Sequence, residues 1–201
     1  MDLTTIEAVL FDMDGTLVDS DAAVERAWRV WAHEHEADAA AVLAIAHGAP
    51  AERTVRIIRP DLDDAGVTAA AARQLELQYD DLSDVVATPG ASGLLAALTL
   101  PWAVVTSADV RLAKARLGAA GIAAPVLVTV EDISAGKPHP EGYLRGAELL
   151  GVEPARCLVV EDAEVGVTAG RAAGATVAAL KGVDGDIAIR DLHELADLLA
   201  L

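Results

Sequence analysis

Two aspartates, Asp12 and Asp14, follow an apolar run and directly precede a glycine. If this run is a buried strand that enters a tight turn, both carboxylates lie on one side of the chain, because residues i and i+2 of an extended backbone point the same way. Converging carboxylates can bind a metal ion, attack an electrophile or exchange a proton. A solvated turn without chemistry is the alternative, and for this short motif alone the two interpretations are evenly balanced.

A calcium-binding loop is a further alternative for the aspartate pair. Such a loop needs a bidentate glutamate at its twelfth position, and the twelfth residue counted from Asp12 is Ala23. A helix should also precede a calcium loop, whereas the residues before Asp12 have the pattern of a strand. The sequence therefore disfavours a calcium loop.

Polar residues follow three other apolar runs in the same way. Thr106 and Ser107 follow WAVV, Lys137 lies in the loop after VLVTV, and Glu161 and Asp162 follow LVV. Independent turns rarely repeat such a placement. A hydroxyl, an ammonium group and further carboxylates around an aspartate pair are what phosphoryl transfer requires: a nucleophile, a metal site and donors to the phosphoryl oxygens.

The elements that position these residues alternate between strands and helices. Apolar runs bounded by turn residues predict strands, and alanine- and leucine-rich segments that end near glycines predict helices between them. This alternation favours an α/β fold, a Rossmann-like and mostly parallel sheet with helices on both faces, in which ligands bind at the carboxyl ends of the strands. The predicted strands are Ala8–Phe11, Trp102–Thr106, Val126–Val130, Leu158–Val160 and Thr176–Leu180.

Residues 18–86 have a helical pattern without a convincing strand, and breaks are expected at 47–50, at 60–64 and at Gly66. We interpret this segment as a small all-helical cap inserted after the first strand. The catalytic core is then predicted from residues 1–17 and 87–201.

Composition excludes several classes of partner. The formal net charge of −17 makes nonspecific attraction to nucleic acid or to an anionic membrane surface unfavourable. Every apolar run is interrupted well before the roughly 18 residues that a membrane span needs. No basic region precedes an apolar stretch near Met1, and the single cysteine, Cys157, cannot form an intrachain disulfide. We therefore expect a cytoplasmic protein, as a monomer or a small homo-oligomer.

Four segments together resemble a known family. VLFDMDGTLVDS, VVTSA, GKPHPE and VVEDAEVGV are similar, in this order, to the four motifs of the haloacid dehalogenase-like (HAD) hydrolase superfamily. Motif order, spacing and the helical insertion resemble the subgroup with an α-helical cap. Within that subgroup, HGAP and GKPHPEGYL look most similar to phosphatases of sugar and polyol phosphates.

The resemblance implies a magnesium enzyme. Asp12 would be the nucleophile that becomes an aspartyl-phosphate, and Asp14 the general acid and base. Mg²⁺ would be held by the Asp12 carboxylate, the Asp14 carbonyl and Asp162, with Glu161 in a supporting metal role. This all-oxygen ligand set suits the ion.

The resemblance also implies phosphate ligands. Thr106 and Lys137 would bind the phosphoryl group, and Ser107 would add a hydrogen bond, although a helix-capping role for Ser107 is as well supported. In the cap, His47 and Arg53 would contact the substrate. For His47 a helix-end or surface role is the stronger alternative, and for Arg53 a solvated position is equally compatible with the pattern.

A small phosphorylated metabolite is therefore the expected partner, and hydrolysis of a phosphate monoester the expected reaction. The alternative is a sugar phosphomutase similar to β-phosphoglucomutase. The lysine and arginine that related mutases carry in the cap are absent from His47-Gly48-Ala49-Pro50. Dehalogenases lack the second aspartate, and a non-enzymatic binding module would not be expected to keep all four motifs.

Overall fold

The computed structural model describes residues 3–46 and 50–201. The chain divides into two compact units. The core unit comprises Met1–Asp19 and Val85–Leu201, and the helical unit comprises Ser20–Asp84. The predicted limits of the insertion, 18 and 86, each lie two residues from these boundaries.

The helical unit is built on its own apolar core. Its helices are α1 (Asp21–Glu34), α2 (Ala39–Ala46), α3 (Ala51–Ile58) and α4 (Asp64–Leu77). Trp28 and Trp31 are buried in this core, and the indole Nε1 of Trp31 donates a hydrogen bond to the Ala70 carbonyl at 2.8 Å. The predicted break at Gly66 is wrong. Gly66 lies in the first turn of α4, where its N–H donates to the capping carboxylate of Asp63 at 2.8 Å.

The core unit is organised around a parallel sheet. Six of its strands are hydrogen-bonded in the order β5-β4-β1-β6-β7-β8, and every neighbouring pair is parallel. The two remaining strands, β2 and β3, form a separate antiparallel pair. In chain order the strands are β1 (Ala8–Phe11), β2 (Val18–Asp19), β3 (Val86–Ala87), β4 (Trp102–Val105), β5 (Leu127–Val128), β6 (Cys157–Glu161), β7 (Thr176–Ala179) and β8 (Ile187–Ala188).

Helices cover both faces of this sheet, which confirms the predicted α/β fold. They are α5 (Ala91–Ala97), α6 (Val110–Ala119), α7 (Glu141–Leu150), α8 (Glu164–Ala172) and α9 (Leu192–Leu198). On one face α7 packs closely, since a methyl group at Gly146 would already crowd Leu10 and Val105. Val9 and Phe11 point to the opposite face and are completely buried as well. No helix in the described ranges is long and apolar enough to span a bilayer.

Register places the ends of the central strands side by side. Phe11 is level with Val104 of β4 and with Val160 of β6. Asp12, one residue further, therefore lies level with Val105 and Glu161, and its N–H donates to the Val160 carbonyl at 2.9 Å. After β1 the chain forms β4 and β5 on one side of β1, and then crosses to form β6 on the other side. The strand order thus reverses at β1. The carboxyl ends of β4, β1 and β6 therefore surround a topological switch point, where α/β proteins bind ligands.

The short elements differ from the sequence prediction. β2, β3 and β8 have two residues each and were not predicted, because two residues carry no detectable periodicity. The predicted strand Val126–Val130 is reduced to Leu127–Val128. A capping box ends it, in which the Asp132 carboxylate accepts hydrogen bonds from the N–H and hydroxyl of Thr129 at 2.9 and 3.0 Å.

Candidate active site

The aspartate motif forms a tight turn at the end of β1. The N–H groups of Leu17 and Val18 both donate to the Met13 carbonyl at 2.9 Å, which closes the turn. Gly15 has φ of +81°, a conformation that side chains disfavour, and a methyl group there would overlap the Asp162 carboxylate. Glycine at this position therefore lets the first motif approach the fourth.

Lys137 joins the first and fourth motifs through its ammonium group. Its Nζ lies 2.5 Å from Asp12 Oδ1 and 2.6 Å from Glu161 Oε1. The loop that carries Lys137 is held by Glu141 at the start of α7, whose carboxylate accepts from the N–H groups of Ser134 and Ala135 at 2.8 and 3.0 Å. Glu141 thus ties the residues that precede Lys137 to the start of α7.

Glu161 is a completely buried carboxylate with several donors around it. Besides Lys137, the Tyr143 hydroxyl donates to Glu161 Oε1 at 2.6 Å. The N–H groups of Asp162 and Ala163 donate to its Oε2 at 3.1 and 3.3 Å, just before α8 begins. A buried carboxylate needs such partners, because an unpaired charge in this environment would be costly. Sequence reasoning missed Tyr143, which at helical spacing looks like an ordinary core aromatic.

Lys181 adds a second cation that sequence reasoning also missed. It follows β7, and its Nζ lies 3.0 Å from Asp162 Oδ2. The signal was available in the sequence, because Lys181 follows an apolar run in the same way as the other polar residues of the site.

Three carboxylates converge at this edge. One oxygen from each of Asp12, Glu161 and Asp162 can be chosen so that all lie within 4.8 Å of one another. Clustered carboxylate oxygens are the ligands that Mg²⁺ prefers, so the chemistry of this donor set fits a divalent cation.

Burial shapes the ionisation of these groups. Burial raises the pKa of Asp12 well above its ordinary value, although the charge of Lys137 opposes this shift. Burial also raises the pKa of Asp162, against the effect of Lys181. For Lys137 burial alone would lower the pKa, but Asp12 and Glu161 outweigh it and raise the pKa. Burial thus disfavours the ionised forms of Asp12 and Asp162, and a bound cation would favour them.

Asp14 has a different environment from Asp12. Its side chain is 31% exposed, and its Oδ2 lies 2.8 Å from Nη1 of Arg116. The Arg116 side chain is only 3% exposed. Nothing in the sequence pointed to Arg116, since an arginine in a helix that carries other charged residues usually lies in solvent.

Thr106 and Ser107 follow β4 as predicted. Thr106 is buried, and its hydroxyl accepts a hydrogen bond from the Ala108 N–H at 3.0 Å. Ser107 is exposed. The alternative that Ser107 caps the next helix is wrong, because Asp109 caps α6 by accepting from the Leu112 N–H at 2.8 Å.

The predicted cap contacts fall in the helical unit. Arg53 is an exposed residue of α3. His47 lies outside the described residues. Among the predicted site residues that the structure describes, Asp12, Lys137, Glu161 and Asp162 of the core unit are brought together.

Comparison with known proteins gives a family and several relatives. The model of the haloacid dehalogenase-like hydrolase family matches residues 6–174. Hexitol phosphatase A of Escherichia coli (strain K12) is 45% identical over 175 residues, which cover 85% of this chain and 81% of that protein. The 2-deoxyglucose-6-phosphate phosphatase 1 of Saccharomyces cerevisiae is 35% identical over 187 residues, covering 83% of this chain and 76% of that protein.

A solved structure confirms the fold. The crystal structure of β-phosphoglucomutase from Clostridium difficile is similar with a TM-score of 0.81, covering 94% of this chain and 93% of that chain. The two sequences are 20% identical, so this likeness concerns the fold alone.

Proposed function

Since this chain belongs to the haloacid dehalogenase-like hydrolase family, we propose that it is a Mg²⁺-dependent phosphatase of small sugar or polyol phosphates that forms an aspartyl-phosphate on Asp12. The observation that carries the proposal is the buried Asp12 carboxylate, held by Lys137 beside two further carboxylates. The names of the hexitol phosphate and 2-deoxyglucose-6-phosphate phosphatases support the substrate class.

Formal charge supports a role for a divalent cation. The three carboxylates that converge, Asp12, Glu161 and Asp162, are paired with two cationic side chains, Lys137 and Lys181, so this cluster carries one formal negative charge. A phosphate dianion would be repelled by such a site. Mg²⁺ held by the Asp12 and Asp162 carboxylates and the Asp14 carbonyl, with Glu161 in support, would reverse that sign and polarise the phosphoryl group.

In the proposed first half-reaction an oxygen of Asp12 attacks the phosphorus, and the bond to the leaving alkoxide breaks. Asp14 enters this step as a carboxylic acid, donates its proton to that leaving oxygen and is left as a carboxylate. In the second half-reaction Asp14 takes a proton from water as the water oxygen attacks the phosphorus. The bond to Asp12 breaks, which releases inorganic phosphate and restores the carboxylate. Lys137 and Thr106, with Ser107, bind the phosphoryl oxygens in both steps.

The helical unit is proposed to act as the cap that selects the substrate, with Arg53 and His47 as contacts. Its support is chemical: the core groups recognise only phosphate, so discrimination among sugars needs further polar groups. We further propose that the protein is cytoplasmic and is a monomer or a small homo-oligomer. Its proposed partner is a small metabolite rather than nucleic acid or a membrane. The net charge of −17 supports the last point.

A sugar phosphomutase similar to β-phosphoglucomutase is the second candidate. The fold is compatible with it, but the relatives with the higher identities are named as phosphatases. A mutase must also keep water away from the phosphoenzyme.

A substrate panel tests the proposal. Hexitol phosphates, hexose 6-phosphates, glycerol phosphate and nucleotides are incubated with Mg²⁺, and released phosphate is measured. We expect release from the sugar and polyol phosphates, and none from Asp12→Asn, which removes the nucleophile at nearly constant volume. Turnover of Asp12→Asn within tenfold of the wild type would contradict the role of Asp12. Conversion of β-glucose 1-phosphate to glucose 6-phosphate without phosphate release would favour the mutase.

A further inference from the structure

Arg116 has a charged side chain that is almost completely buried, and burying an unpaired charge costs free energy. A guanidinium group is a charged donor of hydrogen bonds, so removing it from water is costly unless it is paired. Its pairing is with Asp14, at 2.8 Å between Nη1 and Oδ2, while α6 itself packs into the core through Leu112 and Leu117. The burial thus gives Arg116 a fixed place from which to hold Asp14.

The geometry points to Arg116 as a positioning residue for proton transfer: we propose that its guanidinium holds the Asp14 carboxylate in the orientation that serves the leaving group and the attacking water. This inference rests on the proposed acid and base role of Asp14. The ion pair with the buried guanidinium restricts the rotamer of the partly exposed Asp14 side chain. Misplacement of a catalytic group by about 1 Å can cost on the order of 100-fold in rate.

A purely structural ion pair would behave differently. Loss of a structural pair lowers stability and affects every substrate alike. Loss of a positioning contact affects a substrate in proportion to its need for protonation by Asp14. Alkyl phosphates have poor leaving groups and need that proton, whereas p-nitrophenyl phosphate does not. The second-order constant kcat/KM is the appropriate measure, because it reports the steps up to formation of the phosphoenzyme.

The first experiment replaces Arg116 by methionine and by lysine. We expect Arg116→Met to lower kcat/KM by about 10- to 100-fold for a polyol phosphate, and by less than about threefold for p-nitrophenyl phosphate. Arg116→Lys keeps the charge but loses the planar fork, so it should recover part of the loss on the polyol phosphate. Arg111→Met is the matched control, since Arg111 is an exposed arginine of the same helix, and it should change neither constant.

The second experiment is a double-mutant cycle with Asp14→Asn. If Arg116 acts through Asp14, Arg116→Met should reduce kcat/KM for the polyol phosphate by less than about twofold in the Asp14→Asn background. Losses that multiply in the double variant, or equal losses on both substrates, would overturn the inference. If Arg116→Met does not fold, as judged by its thermal transition, Arg116→Lys is tested in the same cycle.

The outcomes separate the inference from the function on which it rests. If Asp14→Asn lowers kcat/KM more for the polyol phosphate than for p-nitrophenyl phosphate while neither Arg116 variant does so, the positioning role of Arg116 is wrong and the acid role of Asp14 is supported. If Asp14→Asn itself reduces both substrates equally, the acid role of Asp14 is wrong, and the inference falls with it.

Discussion

Gly166 offers a test of the geometry around the buried Glu161. Gly166 lies in the first turn of α8, and a methyl group added there would overlap both oxygens and the carboxyl carbon of Glu161. A carboxylate is the mobile end of a side chain and could normally move aside. Here Lys137, Tyr143 and two backbone N–H groups hold it, so Gly166→Ala must displace a carboxylate together with its hydrogen bonds.

The magnitude follows from three contributions. Replacing glycine by alanine in a helix stabilises the fold by up to about 1 kcal/mol. Overpacking a tight site costs about 1–3 kcal/mol, and breaking hydrogen bonds to a buried charge costs about 1–3 kcal/mol more. We therefore expect Gly166→Ala to lower the free energy of unfolding by about 1–5 kcal/mol. Turnover should fall as well, because Lys137 loses one of its two anchors.

Gly118→Ala is the matched control. Gly118 is an exposed residue of α6, and apart from its chain neighbours and the backbone of its own helix no atom lies within 4 Å of the position its Cβ would take. This substitution should raise the free energy of unfolding by up to about 1 kcal/mol and leave turnover unchanged. Urea unfolding and phosphate release are measured for both variants. If Gly166→Ala is as stable and as active as Gly118→Ala, the Glu161 carboxylate does not lie where the structure places it.

Further predictions concern the metal, the thiol and the helical unit. Chelation should abolish phosphate release and Mg²⁺ should restore it, with Ca²⁺ a poor substitute because its longer bonds misplace the phosphorus; full activity in excess chelator would contradict the metal role. Burial raises the pKa of Cys157 to about 11, so its thiolate fraction increases only as the pH approaches that value, and at pH 8 alkylation should be far slower in the native than in the urea-unfolded protein. Equal alkylation rates would show that the thiol is accessible. Arg53→Ala should change the ratio of kcat/KM between two sugar phosphates by about 10- to 200-fold. Arg56 is the control, because its guanidinium pairs with Asp64 at 2.9 Å, and Arg56→Ala should leave that ratio unchanged. Equal ratios in both variants would show that Arg53 does not contact the substrate.

The strand ends explain why much of the candidate site was predictable. Asp12, Thr106 and Asp162 each follow a buried apolar strand, and parallel strands bring their carboxyl ends to one edge. Strand composition alone therefore indicates that these residues gather, before any distance is known. Lys137 was placed in the loop after VLVTV, but it lies nine residues beyond β5, so the path of its loop cannot be inferred from periodicity and only the resemblance gave it a role.

Two site residues that were not predicted, Arg116 and Tyr143, are buried, and burial cannot be read directly from the sequence. Arg116 and Tyr143 belong to helices whose pattern places them on a side of the helix but not opposite a given partner. Only the packing of α6 and α7 against the sheet puts a guanidinium beside Asp14 and a hydroxyl beside Glu161. The side chains of a helix that enter a site depend on its rotation and position, and these follow from the fit of the whole core.

The placement of Lys137 between two carboxylates bears on how the proposed cycle proceeds. When Asp12 becomes an acyl phosphate, the negative charge moves from its carboxylate to the attached phosphoryl group. Glu161 takes no part in the bond that forms, and its Oε1 lies 2.6 Å from Nζ. Lys137 therefore stays anchored at the edge of the sheet while its other hydrogen-bond donors become available to the phosphoryl oxygens. In the proposed cycle the buried Glu161 would therefore fix the position of Lys137 in the phosphoenzyme, in addition to its proposed supporting role at the metal.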